Sequence, residues 1–177
     1  MSILVYIETN QNQIKKSSFE SLSYAKKLSK LISSDVIAVV INCSKLAPLN
    51  HFGPDKIISI NEKKLETFNA HNYADVISNV SKNVSAKNII ISDSINCKYL
   101  ASLLSVKLNA AFVSNVVSLP NSTNPFLVKR STFSNKAFCE IEINSEIKIL
   151  SISKNSIGLN ENKSEPIIIN HDINFTE

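Results

Sequence analysis

Apolar residues between positions 2 and 119 occur in two kinds of pattern. Short continuous runs rich in Ile, Val, Leu and Tyr predict strands buried on both faces, at residues 2–9, 35–41, 56–60, 88–92 and 113–119. Between these runs, apolar residues recur at helical spacing in segments that begin near residues 17, 69 and 98. Strands that alternate with helices in this way predict a parallel sheet covered by helices.

The start of the first helix carries its own signal. Ser17 and Glu20 have the spacing of a capping box, in which each side chain bonds the backbone N–H of the other residue. The apolar positions that follow share one helical face, and they are Phe19, Leu22, Ala25, Leu28 and Leu31 or Ile32. The sequence therefore predicts a capped, amphipathic helix between the first two strands.

The pattern changes after Pro120. Three extended runs at residues 126–133, 137–143 and 147–154 are separated by polar turn residues, which predicts an antiparallel β-meander. In the middle run Phe138, Glu140 and Glu142 alternate with apolar residues, which indicates one solvated face and one buried face. The predicted fold class is therefore α/β, a parallel sheet flanked by helices and followed by an antiparallel β-meander.

The chain is predicted to form one domain over residues 1–158, followed by a tail over residues 159–177. The tail is polar apart from the short run Ile167–Ile169, and its charges are mostly acidic: Glu161, Glu165, Asp172 and Glu177 against Lys163. A segment of this composition is expected to be a linker or docking arm without a core of its own.

Length and charge exclude several classes of protein. The 177 residues carry a net charge of +4 from lysines spread along the chain, without the basic cluster of a nucleic-acid interface. No apolar run approaches the roughly 20 residues of a membrane span. No basic segment precedes the first strand, as it would in a signal peptide. We therefore expect a bacterial cytoplasmic protein that neither binds nucleic acid nor inserts into a membrane.

Glycine, cysteine and histidine limit the chemistry further. The two glycines, Gly53 and Gly158, are too few for the loops that cradle phosphates, so no self-contained dinucleotide or P-loop site is expected. The three cysteines and three histidines are far apart and lack ligand spacing, which argues against a disulfide and against a metal site.

Two polar pairs follow predicted strands. Glu8 and Thr9 follow the first strand, and Asp93 and Ser94 follow the fourth, at the edge where open α/β sheets bind ligands. Turn and N-cap roles explain the same residues. No nucleophile motif accompanies them, so we assign a possible crevice there but no catalytic residue.

Three cations bracket the first turn of the predicted meander, namely Lys129, Arg130 and Lys136. Cations around an exposed loop can hold an anionic surface of a partner. Charges on an edge strand also discourage aggregation, so the residue pattern by itself allows both interpretations.

Taken together, residues 2–158 resemble the N-terminal domain of the electron transfer flavoprotein α-subunit. The similar segments include the opening Ile3–Glu8, the helix segment Ala25–Leu28 and the strand Lys148–Ile152, which looks like the family's Lys-Val-x-Thr-Val. Residues Arg130–Ala137 resemble the family's Arg-Pro-x-Tyr-Ala-Gly-Asn-Ala turn. Asn135 replaces the glycine of that turn, and asparagine is the next-best residue for a left-handed backbone. Lys136 replaces the family's Asn.

The resemblance implies a Rossmann-like, adenine-nucleotide α-hydrolase-like fold and an electron-transfer component that is not itself an enzyme. It implies a β-subunit partner, and indirect partners among acyl-CoA-type dehydrogenases and a quinone oxidoreductase. FAD would bind in the full heterodimer through a C-terminal domain missing from this chain, toward which residues 159–177 would lead, and AMP would bind in the β-subunit. No cofactor-binding residue is expected in this domain; the expected partner interface is Lys129, Arg130, Asn135 and Lys136.

Two alternatives belong to other functional classes. A small nucleotide-binding module of the universal-stress type shares the parallel α/β architecture and would bind ATP, although its glycine-rich loop is missing. A small hydrolase would place its site at Asp93 and Ser94.

Overall fold

The computed structural model describes residues 2–171, which form a mixed ten-stranded sheet and a separate two-stranded ribbon. Its strands in chain order are β1 (Ser2–Ile7), β2 (Thr9–Asn10), β3 (Gln13–Ile14), β4 (Asp35–Ile41), β5 (Lys56–Ile60), β6 (Ala86–Ser92), β7 (Ala111–Val116), β8 (Ser122–Thr123), β9 (Phe126–Thr132), β10 (Ala137–Ile143), β11 (Lys148–Ile152) and β12 (Ile167–Asn170).

Helices cover both faces of the sheet. The described residues contain α1 (Lys16–Ile32), α2 (Ala70–Asn83), α3 (Ile95–Leu108) and two short 3₁₀ helices, Ala47–His51 and Lys63–Leu65. Successive strand residues face opposite ways, which produces two cores. Ile3 belongs to the same buried cluster as Leu22 of α1. Leu4 belongs instead with Ile77 of α2 and Leu104 of α3.

Seven adjacent strands of the sheet run parallel, in the order β7–β11–β6–β1–β4–β5–β12. β9 and β10 form an antiparallel hairpin that extends the sheet beyond β7, and β8 pairs with β9. β2 and β3 form the small ribbon that connects β1 to α1. The α/β class, the Rossmann-like parallel sheet and the presence of antiparallel strands are confirmed.

The prediction that the third extended run, now β11, completes an antiparallel meander is wrong. β11 does not pair with β10 but inserts between β6 and β7, parallel to both. Its sequence explains the difference, because Ile149, Leu150, Ser151 and Ile152 are all buried. A strand buried on both faces needs an interior position in the sheet, which the end of a meander does not offer.

The capping box predicted at the start of α1 is also wrong. The N-cap of α1 is Lys15, without a side-chain capping bond, and Ser17 lies inside the first turn. Glu20 is buried, and its carboxylate accepts backbone N–H groups of Asn155, Ile157 and Gly158. These three amides lie in the loop after β11. Glu20 therefore accepts hydrogen bonds from a distant loop and does not cap its own helix.

The described part of the tail is hydrogen-bonded to the body of the protein in several places. Asn162 donates its N–H to the His51 carbonyl at 2.7 Å, and Ile167–Asn170 adds to β5 as the parallel strand β12. Gly53 lies under this segment, since a Cβ there would be 3.0 Å from the Asn162 carbonyl oxygen. The predicted tail residues Asp172 and Glu177 lie outside the described residues. None of the helices in residues 2–171 is long and apolar enough to span a membrane.

Candidate functional site

The polar pairs predicted after the first and fourth strands both lie at the carboxyl edge of the sheet, without a hydrogen bond between the two pairs in residues 2–171. Glu8 is buried, and its carboxylate accepts hydrogen bonds from Lys15 Nζ at 2.7 Å and from Ser92 Oγ at 3.1 Å. Ser92 Oγ also lies 3.3 Å from Cys97 Sγ. Burial, with the negative charge of Glu8 as a smaller cause, raises the pKa of the Cys97 thiol to about 11. This thiol is therefore protonated and unreactive near neutral pH.

Asp93 forms the second half of this edge. Its carboxylate accepts a hydrogen bond from Ser151 Oγ at 2.7 Å and forms an ion pair with Lys98 Nζ at 3.2 Å. In the amide orientation that satisfies both groups, the Asn115 nitrogen donates to the same carboxylate at 2.8 Å. Ser94 accepts the N–H of Cys97 as the N-cap of α3, which is the turn and capping role that the sequence allowed for this residue.

A cavity of about 320 Å³ opens beside Thr9, Lys15 and Tyr73 near this edge. Several of its polar groups already bond within the protein: Asn42 holds the backbone of Glu62 through both amide atoms, and the Tyr73 hydroxyl donates to the Leu65 carbonyl. These groups serve the fold and are not free to orient a ligand.

The hairpin at the far end of the sheet has a different character, because it projects polar and aromatic groups into solvent. In the β9–β10 pair, Thr132 lies opposite Ala137 next to the turn, and Phe126 lies opposite Ile143 at the other end. Three successive turn residues, Phe133, Ser134 and Asn135, have left-handed backbone angles with φ of 48°, 52° and 65°. Asparagine tolerates this region, so Asn135 fits the turn without the glycine of the similar family motif.

The four interface residues predicted from sequence lie on different sides of this hairpin. Asn135 and Lys136 are exposed at its tip. Lys129 is exposed on one face, with Nζ 4.7 Å from the centroid of the Phe138 ring. Arg130 is half-buried on the opposite face, where Nη2 donates to Ser114 Oγ at 3.1 Å. The structure thus brings all four to one hairpin but only the tip pair to one spot.

Sequence reasoning missed two aromatic residues of the same hairpin. Phe133 is 79% exposed at the turn and Phe138 is 59% exposed on the face of Glu140 and Glu142. The signal for Phe138 was available, because its register with two glutamates already predicted a solvated face. Contiguous exposed apolar patches mark interaction surfaces, whereas single exposed apolar residues are ordinary.

Comparison with known proteins assigns the family. The sequence model of the electron transfer flavoprotein domain matches residues 3–169, which is nearly all of the described chain. The chain belongs to the electron transfer flavoprotein domain family.

Two curated relatives of this electron transfer flavoprotein domain are α-subunits. The electron transfer flavoprotein subunit alpha of Bacillus subtilis is 24% identical over 162 residues, covering 90% of this chain and 49% of the relative. The subunit of the same name from Syntrophomonas wolfei is 23% identical over 145 residues, covering 80% of this chain and 44% of the relative. The chain therefore spans about half the length of the curated relatives it matches.

Family membership raises the question whether this domain could hold a flavin dinucleotide at the carboxyl edge of its sheet. The residues there do not fit one. The β2–β3 ribbon fills the connection from β1 to α1, where dinucleotide folds place a glycine-rich phosphate loop. The cation at the end of this connection, Lys15, is already paired with the buried carboxylate of Glu8 and is not free to hold a pyrophosphate.

Proposed function

We propose that this chain is the N-terminal domain of an electron transfer flavoprotein α-subunit and that it serves as a scaffold for a β-subunit. One observation carries the proposal: the family match extends over residues 3–169, and both curated relatives are α-subunits. The poor fit of the carboxyl edge to a pyrophosphate favours a structural role over cofactor binding by this domain, and it speaks against the nucleotide-binding alternative.

The proposed contact surface is the β9–β10 hairpin. Its exposed aromatic residues, Phe133 and Phe138, supply the apolar area that anchors protein interfaces. The same hairpin carries the residues predicted from sequence, Lys129, Arg130, Asn135 and Lys136. A cationic hairpin end with two exposed rings is suited to a protein surface that is both apolar and acidic.

In this proposal the complete protein is an electron carrier, and the chain itself catalyses no reaction. FAD would be held by the half of the α-subunit that lies outside this chain, with residues 159–177 leading toward it, and AMP would bind in the β-subunit. Electrons would come from acyl-CoA-type dehydrogenases and pass to a quinone oxidoreductase. A cytoplasmic location is part of the same proposal.

Native mass spectrometry tests this function directly. The purified chain is mixed with the electron transfer flavoprotein β-subunit of the same organism, and a one-to-one complex is expected. The same measurement is made on the chain alone with ATP and with AMP. If the chain binds ATP and forms no complex with the β-subunit, the result contradicts the proposal and supports the universal-stress-type alternative.

A further inference from the structure

Arg130 is the single arginine of the chain, and its guanidinium is incompletely satisfied. A guanidinium has five N–H donors. Among residues 2–171 its one hydrogen bond is the one from Nη2 to Ser114 Oγ at 3.1 Å. Its Nε atom is buried and has no hydrogen-bond partner in the described part of the protein.

No carboxylate of the described chain neutralises this cation. The ion pairs within residues 2–171 all involve lysines. Cys139 lies opposite Arg130 in the β9–β10 register, so the neighbouring acids Glu140 and Glu142 project from the other face. Asp93 is already engaged by Ser151 and Lys98.

A half-buried guanidinium without an anion is unfavourable, because it has lost part of its hydration without gaining an ion pair. Arginine is also the preferred residue for planar, two-point recognition of carboxylates at interfaces. We propose that Arg130 is the receptor for an aspartate or glutamate side chain of the partner subunit, which supplies the missing anion when the complex forms. This inference rests on the proposed function and specifies the chemistry of its interface.

Charge complementarity favours a protein carboxylate as the occupant. Arg130 lies three residues before the exposed Phe133, and Lys136 follows at the tip. A partner surface that covers the aromatic turn therefore passes within reach of the guanidinium. The same surface would meet Lys136 at the tip, so an acidic patch on the partner matches both cations.

The decisive variant is Arg130→Met, which removes the charge and keeps an unbranched apolar side chain. Stability of the isolated chain is expected to be unchanged or raised, because an unpaired half-buried cation is lost. The affinity for the β-subunit is expected to fall at least roughly 30-fold, since the partner carboxylate is then left unpaired. Arg130→Lys keeps the charge and loses the planar fork. Its affinity for the β-subunit is expected to lie between that of the unmodified chain and that of Arg130→Met.

Lys45→Met is the matched control, because Lys45 is an exposed cation after β4, several strands away from the hairpin. Its affinity for the β-subunit is expected to match that of the unmodified chain. If Arg130→Met binds as tightly as Lys45→Met, the inference is overturned while the proposed function stands. If the unmodified chain forms no complex, both are overturned.

The single arginine allows a second measurement that needs no variant. Phenylglyoxal, an arginine-selective reagent, should label one side chain, and peptide mass spectrometry reports the rate. We expect labelling of Arg130 in the free chain and at least roughly tenfold slower labelling in the complex. Equal rates in the free chain and in the complex would contradict the contact.

Discussion

The carboxylate of Glu20 lies 2.9 Å from the backbone nitrogen of Ile157, a residue 137 positions further along the chain. Glu20 belongs to α1, and Ile157 belongs to the loop that follows β11. The same carboxylate accepts the N–H groups of Asn155 and Gly158, so one buried anion holds the loop against the helix. Hydrogen bonds to a charged acceptor are among the stronger ones in proteins.

Replacement of Glu20 should therefore destabilise the protein. Glu20→Ala leaves three backbone donors without their acceptor, and we expect a loss of roughly 2 kcal/mol in the free energy of unfolding, since part of the loop can bind water instead. Urea denaturation measures it. Ser17→Ala is the control, because Ser17 makes no capping bond, and its effect should stay within about 0.5 kcal/mol. Equal losses in the two variants would restore the capping-box interpretation.

The three cysteines should differ in reactivity. Cys43 and Cys97 are buried, whereas Cys139 is half-buried on the outer strand β10. Alkylation requires access to the thiolate. Burial shields Cys43 and Cys97, and the raised pKa of the Cys97 thiol disfavours its thiolate as well. Iodoacetamide labelling at pH 8, followed by peptide mass spectrometry, should show Cys139 modified well before the other two. Labelling of Cys97 first would disagree with its burial.

Stability should fall in alkaline solution. The thiol pKa of Cys97 rises from its ordinary 9.0 to about 11 in the folded protein because of burial, so the folded state holds this proton more tightly than the unfolded state. The stabilising contribution is complete below pH 9 and is lost as the pH rises towards 11. By pH 10.5 the loss from this group should reach roughly 2 kcal/mol.

Cys97→Ala separates this effect from the tyrosines that titrate in the same range, such as Tyr24, whose pKa is also raised by burial. The variant should be less stable than the unmodified protein at pH 8, and that difference should shrink by pH 10.5. Urea denaturation with reducing agent at both values gives the comparison. A constant difference would show that the Cys97 pKa is not raised.

Glycine in the hairpin turn should stabilise the protein more at position 134 than at position 135. Ser134 has φ of 52° and Asn135 has φ of 65°, both in the left-handed region. Serine is less tolerant of this region than asparagine, so Ser134→Gly should stabilise the protein by roughly 0.5–1 kcal/mol, and Asn135→Gly should change it little. Thermal unfolding measures both. Destabilisation by Ser134→Gly would argue against the left-handed turn.

The last strand should open more readily than the centre of the sheet. β12 pairs with β5 on one side, and its isoleucines Ile167, Ile168 and Ile169 are 61%, 54% and 42% exposed. Few buried contacts mean a low free energy of local opening. Hydrogen exchange followed by mass spectrometry should show the β12 amides exchanging before those of β1 and β4. Equal protection in all three strands would contradict the exposed position.

Much of the fold was predictable because its signals are local. Continuous apolar runs marked β1, β4 and β5, and helical spacing marked α1 and α2, with the start of α2 predicted near residue 69. The position of β11 was not predictable in the same way, because a buried strand has one pattern whether it follows its neighbour or inserts elsewhere. The hairpin was predicted as the interaction surface, and that assignment stays a prediction.

The sequence by itself determined the order of the longer strands and helices, the parallel sheet, the two faces of β10 and the family resemblance, since each depends on residues close together in the chain. Only the tertiary structure decided that Glu20 caps a distant loop and that Glu8 meets Ser92. It also decided that Arg130 forms no ion pair with a carboxylate among the described residues. Partners of buried polar groups are chosen by the packing of distant segments, and neither spacing nor composition records which segments those are.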